Sequence, residues 1–138
     1  MAVEMIVEYT GELRCRAEHG PSGSVLETDA PRDNEGRGEL FSPTDLVGAA
    51  LMTCAMTTMA IKGRKEGIDF TRAAGRVVKE MTSQGPRKIA RLTLEIVMPA
   101  GLPPAHRTRL EEIARSCPVA LSLAETVEVP MTFSYPGA

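Results

Sequence analysis

An α+β fold is predicted by three features of the chain. Short segments of alternating polarity stand towards both ends, a long apolar helix with clear start and stop signals lies between them, and an amphipathic helix follows near the C-terminus. In the first segment Val3, Met5, Val7 and Tyr9 alternate with Glu4, Ile6 and Glu8, the two-residue period of a half-buried strand. Thr10-Gly11-Glu12 reads as a turn into a second strand, with Leu13, Cys15 and Ala17 on its inner face and Arg14, Arg16 and Glu18 on the outer. After the turn residues 19–24, Val25-Leu26-Glu27-Thr28 is a short third strand, and residues 30–38 form a loop.

Ser42-Pro43-Thr44-Asp45 starts the long helix: Ser42 caps, Pro43 suits the first helical position and Asp45 completes a capping box. The helix is expected to run to about Glu66, with Gly67 as a left-handed stop. Its first four turns are apolar nearly all round, so the helix requires cover on every side, part of it from a second subunit. Two strands follow, Gly75–Met81 and Lys88–Met98. In the second, Leu92, Leu94, Ile96 and Met98 share one face, and Arg91, Thr93 and Glu95 share a wet one, as in antiparallel sheets. Residues 103–115 form the amphipathic helix. Pro118 ends it and opens a short new helix through Leu123. A last strand, Thr126–Tyr135, contains Pro130 and is therefore expected at an edge.

At 138 residues the chain is expected to be a single domain, 1–138, large enough for its own core. Sixteen basic and eighteen acidic residues give a net charge of −2, with no basic patch to suggest nucleic acid as a partner. The N-terminus lacks the pattern of a secretory signal. The longest uncharged stretch, residues 46–61, is broken by Thr53, Thr57 and Thr58, which reads as short and polar for a membrane span. Three widely spaced cysteines do not make a disulfide scaffold, so a cytoplasmic protein with free thiols is expected, and there a disulfide is more often transient and catalytic than structural.

Metal binding is not expected, since Cys15, Cys54, Cys117, His19 and His106 form no C-x-x-C or H-x-x-x-H pair. Hydrolase triads are no better supported, His19 lying at a turn and His106 on a polar helix face, and Gly36-Arg37-Gly38 is too short for a phosphate loop. Cys54 and Cys117 carry the chemical interest. Cys54 lies within the apolar helix, where the setting alone would raise its pKa, so reactivity would need a cation from elsewhere: Arg14, Arg16 or Arg37. Cys117, at the cap of a new helix, would be favoured as a thiolate by backbone N–H groups and the dipole. Two readings stay open on this chemistry: a redox pair, or two buried core cysteines.

The segment Phe41-Ser42-Pro43-Thr44-Asp45-Leu46-Val47-Gly48-Ala49-Ala50-Leu51-Met52-Thr53-Cys54 and the segment Ser116-Cys117-Pro118-Val119-Ala120-Leu121-Ser122-Leu123 resemble the two signature regions of the OsmC/Ohr-like family. The order of elements, including the closing Val127–Tyr135 strand, is also similar to that family, and more to its less characterised OsmC-like branch than to the dedicated hydroperoxide resistance proteins. The resemblance implies antiparallel sheets wrapped around a central buried helix in an intertwined homodimer. It implies a thiol-dependent peroxidase of organic hydroperoxides in which Cys54 is the peroxidatic residue and Cys117 the resolving one. It implies no cofactor beyond an external thiol or dithiol reductant. The family's activating arginine lies after the first strand, where Arg14 and Arg16 stand. Its glutamate directly follows the proline of the first signature; here that position is Thr44, with Asp45 the next and acidic residue. The alternative is a non-catalytic dimeric protein of the same fold, binding an apolar small molecule, with inert thiols.

Overall fold

The computed structural model describes residues 1–137 and divides into two compact units, Met1–Val47 and Gly48–Ala138. In the first, β1 (Met5–Gly11), β2 (Arg14–His19) and β3 (Val25–Asp29) form an antiparallel sheet in that order. Glu12 and Leu13 close the β1–β2 hairpin at φ 58° and 63°. Two left-handed residues give a turn whose twist matches that of the strands, although neither side chain is one that favours the conformation. Leu13 therefore sits in the turn and not on the inner face of β2. Its N–H donates to the Tyr9 hydroxyl at 3.2 Å.

The expected half-burial of β1 is not found in the single chain: Met5, Ile6, Val7 and Tyr9 are each 60% or more exposed. Within its own unit this sheet has no long helix to lie on either face, so alternation of residue type produces no alternation of burial. The 30–38 segment contains a single 3₁₀ turn, Arg32–Asn34. Asn34 and Gly36 both donate to the Pro31 carbonyl at 2.9 Å, and Gly38 donates to Ala30 at 3.1 Å. The loop is so tight that a Cβ at Gly36 would stand 1.8 Å from the Ala30 carbonyl oxygen.

The long helix, α1 (Pro43–Lys65), begins with the expected capping box. Asp45 N–H donates to Ser42 Oγ at 3.1 Å, and Ser42 N–H donates to Asp45 Oδ2 at 2.9 Å. At the other end Gly67, at φ 75°, closes a Schellman motif: Ile68 N–H bonds Gly63 O and Gly67 N–H bonds Arg64 O. Lys62, Arg64 and Lys65 place positive charge on the last turn, where the helix dipole is negative.

In the second unit α1 packs on β4 (Ala74–Met81) and β5 (Ile89–Val97), an antiparallel pair. Gly48 faces Val77 and Leu92, and Gly75 makes room for the ends of Met52 and Met56. Leu92, Leu94 and Ile96 on the inner face of β5, and Met98 just past its end, are buried as the alternation predicts, each at most 1% exposed. They share the core with Leu51, Met59, Leu110, Ile113 and Ala114. The amphipathic helix starts later than expected: residues 104–106 make a 3₁₀ turn and α2 occupies Arg107–Arg115, followed by α3 (Pro118–Ser122).

The last strand, β6 (Met131–Ser134), departs from the expected range and from a fully antiparallel sheet. It pairs parallel with β5, because the chain crosses through α2 and α3 before returning. Pro130, which has no N–H to give, confines the strand to four residues at the sheet edge. Upstream, Glu128 still bridges Arg91 and its carbonyl accepts from Leu92 N–H at 2.8 Å. Arg107 stacks over the Tyr135 ring at 4.2 Å, and the Tyr135 hydroxyl donates to Glu111, tying the chain end to α2.

The burial of α1 is one-sided. Gly48, Leu51, Met52, Ala55, Met59 and Gly63 are buried, whereas Ala50, Thr53, Thr57 and Ile61 are exposed. By length and composition alone α1, with an 18-residue window of mean hydropathy 1.4, is apolar enough to cross a membrane, contrary to the reading from its uncharged stretch. The helix is longer than that stretch, and its threonines lower its hydropathy too little.

Leu94→Ala should lower stability by about 2–5 kcal/mol, because a fully buried side chain leaves a cavity. Gly36→Ala should cost about 1–3 kcal/mol through the clash with the Ala30 backbone. Urea denaturation of the two variants against wild type measures both.

Candidate functional site

Cys54 lies in the middle of α1 and is half-buried; its Sγ is 3.8 Å from Thr58 Oγ1, one turn further on. Cys117 stands between α2 and α3. Ser116, whose Oγ donates to Glu112 O at 2.9 Å, ends the first helix, and Pro118 starts the second with its backbone angle already suited. Cys117 is thereby the cap residue of α3, extended at φ −67° and ψ 157°, with its carbonyl accepting from Leu121 N–H at 3.0 Å. The fold brings the two side chains near enough for Cys54 to influence the Cys117 thiol, and both are free thiols.

Cys117 is fully buried, and burial pushes its thiol above the ordinary value. The N–H groups of Ala120 and Val119 draw it down, while the neighbouring Cys54 adds to the rise. The cap position was expected to favour the thiolate, but the five-residue helix offers less than desolvation takes away. Cys117 therefore holds its proton at neutral pH.

The other expected site residues lie in the first unit. Arg14 Nη2 reaches Asp29 Oδ2 at 3.4 Å and also pairs with Glu39; Arg16 pairs with Glu18 at 3.6 Å and Arg37 with Glu12 at 3.5 Å. Asp45 is engaged in the capping box. Cys15, on β2, is half-buried and in register with Tyr9 and Thr28. Two residues escaped the sequence reading. Thr58 follows Cys54 at helical spacing and could have been found from that alone. Asp29 gave no signal, because an acidic residue entering a Pro-Gly loop looks solvated. In the fold it is 1% exposed, and the N–H of Glu39 holds its carboxyl below the ordinary value, with the Arg14 charge assisting and burial opposing.

The chain is of α+β class, with one free thiol in a long helix and another at the cap of a short one. The chain belongs to the OsmC-like protein family, whose model matches residues 36–132. It is similar to a solved protein of Psychrobacter arcticus 273-4 described as a candidate osmotic stress induced and detoxification response protein. The two are 34% identical over 94% of this chain and 93% of that one, with a TM-score of 0.87. The fold is shared with an organic hydroperoxide resistance protein OsmC of Legionella pneumophila (19% identity, 95% and 96% covered, TM-score 0.74). It is shared too with an organic hydroperoxide resistance protein of Elizabethkingia anophelis (16% identity, 98% and 96% covered, TM-score 0.78). No curated protein matches the chain.

The raised Cys117 value has a definite sign in stability. Below the ordinary thiol value of 9.0 the folded and unfolded chains both hold the proton, and the contribution is fully present. It is lost as pH rises through the raised folded value, because the unfolded chain releases its proton first. The thermal midpoint should therefore fall above about pH 9, with a shallower slope in Cys117→Ala.

Proposed function

We propose that the protein is a thiol-dependent peroxidase that reduces organic hydroperoxides. The observation that carries this reading is the adjacency of the Cys54 and Cys117 thiols. Cys54, the more accessible of the two, attacks the outer oxygen of the hydroperoxide as a thiolate. The O–O bond breaks, an S–O bond forms, and the alcohol leaves after taking up a proton, so that Cys54 becomes a sulfenic acid. Cys117 sulfur then displaces that oxygen as water, its own proton leaving with it, and the Cys54–Cys117 disulfide forms. An external thiol or dithiol returns two electrons by exchange and is itself oxidised to a disulfide.

Met52, Met56 and Met59 lie on the same helix as Cys54, and their apolar surroundings suit an organic peroxide better than hydrogen peroxide. The resemblance assigns the thiolate-stabilising cation to Arg14 or Arg16. Arg14 is the better candidate, since its guanidinium is held by two carboxylates, one of them buried, whereas Arg16 has one exposed partner. A homodimer in the cytoplasm completes the proposal: the exposed side of α1 and the uncovered sheet of the first unit are what a second copy would cover. The non-catalytic reading, an apolar-ligand protein with inert thiols, draws support from Thr44 at the family's glutamate position and from the protonated, buried Cys117.

Thiol counting with peptide mapping after one equivalent of cumene hydroperoxide separates the two. The peroxidase loses two thiols and yields a Cys54–Cys117 cross-link. Cys54→Ser loses none, and Cys117→Ser gives a trappable sulfenic acid at Cys54. An unchanged thiol count in wild type would leave only the ligand-binding reading.

A further inference from the structure

Two of the three arginines on α2 have carboxylate partners. Arg109 makes a bidentate pair with Glu66, at 3.0 Å from Nε and 2.9 Å from Nη2, and Arg115 stands 3.7 Å from Glu111. Arg107 has no such partner among the described residues. Its guanidinium lies over the Tyr135 ring at 4.2 Å. Its Nε is buried without a hydrogen-bond partner, and its Nη groups are neither buried nor bonded.

Its place in the chain makes that solitude costly. Arg107 is the first residue of α2, where the helix dipole is positive, and the first turn holds no acidic residue and no side-chain cap from His106. Glu111 is one turn further on, but its carboxylate is taken by the Tyr135 hydroxyl and by Arg115. Two arginines therefore face one glutamate, and one positive charge is left over. The Tyr135 ring attracts the guanidinium through its π-face but brings no charge of its own.

Arg107 also lines a groove. Residues 99–104, which lead from β5 to α2, and residues 135–137, which follow β6, bound a space of about 620 Å³. That is a usual size for a small-molecule site, roughly 300–1,000 Å³. Pro99, Leu102, Pro104 and Pro136 make its walls apolar, and Arg107 and Tyr135 are its polar members. The proline rings fix their own backbone angles, so the walls lose little freedom when something enters.

We propose that this groove binds a small organic monocarboxylate, with the carboxylate on the Arg107 Nη groups and the apolar body along the prolines and Leu102. A guanidinium and a carboxylate match through two parallel N–H···O bonds, and one surplus cation suits one negative charge. A compact, multiply charged anion such as phosphate would find a single cation and no use for the apolar walls. The groove lies wholly within the second unit. The length of α2, roughly 13 Å, stands between Arg107 and Cys117, so the site does not depend on whether the thiols react with peroxide.

The test is a titration of wild-type protein and Arg107→Gln with octanoate, followed by backbone amide NMR shifts. Octanol serves as the neutral counterpart and inorganic phosphate as the bare anion. Octanoate should bind wild type saturably, with the shifts confined to residues 99–107 and 135–137. Arg107→Gln should weaken octanoate by roughly tenfold or more, as loss of a hydrogen bond to a charged group does. Octanol should bind both proteins alike, and more weakly than octanoate binds wild type. Failure of octanoate to saturate at millimolar concentration overturns the proposal, and so do shifts centred elsewhere in the chain. Equal affinity of wild type for octanoate and octanol, or phosphate binding as tight as octanoate, overturns it as well. Thermal midpoints establish that Arg107→Gln is folded. Should it not fold, the comparison of octanoate with octanol on wild-type protein decides alone.

Discussion

The packing of α1 on β4 and β5 is the contact on which the second unit depends. Leu51, Met52, Ala55 and Met59 are buried on one side of the helix, where Gly48 meets Val77 and Leu92 and the ends of Met52 and Met56 fill the space at Gly75. That burial decides which way every other residue of the helix faces. Cys54, one position before Ala55, is rotated off the buried face and stays partly accessible. Cys117, carried by the break between α2 and α3, is fully enclosed. One thiol is open and its neighbour is shut away, and this asymmetry follows from helical geometry before any chemistry is considered.

The first unit is organised around a different constraint. Its sheet has apolar residues on display and its loop 30–41 is drawn in by backbone bonds to Pro31 and Ala30 and by the buried carboxylate of Asp29. That hydrophobic surface is unmatched within the unit.

Much of the fold could be read from the residues because local signals and long-range packing agreed. Ser42, Pro43 and Asp45 announced the start of α1 and Gly67 its end, and the alternation in β5 named the core residues correctly. The misreadings fell where a residue's role depends on distant partners. Alternation along β1 implies half-burial, but burial needs a covering layer that residues 3–9 cannot encode. Leu13 looked like a strand residue because nothing in Glu12-Leu13 advertises a left-handed turn. The parallel pairing of β6 follows from the path of the chain through two helices, which no pattern within 126–135 contains. At the site, the two cysteines stood out by their contexts, but Asp29 did not, since only the fold reveals that it is buried beside Arg14.

Pro118 has a consequence for the fate of an oxidised Cys54. By fixing the start of α3 it holds Cys117 near Cys54, the thiol with which the proposed disulfide would form. Intramolecular closure of this kind has a very high effective molarity, so a sulfenic acid formed on Cys54 would meet a thiol long before it met a second peroxide. Sulfinic acid, the irreversible next rung of sulfur oxidation, would then be reached rarely even under a heavy peroxide load. On the proposed peroxidase reading such a chain would trade sensitivity for endurance, ill suited to signalling peroxide by its own inactivation and suited to repeated turnover.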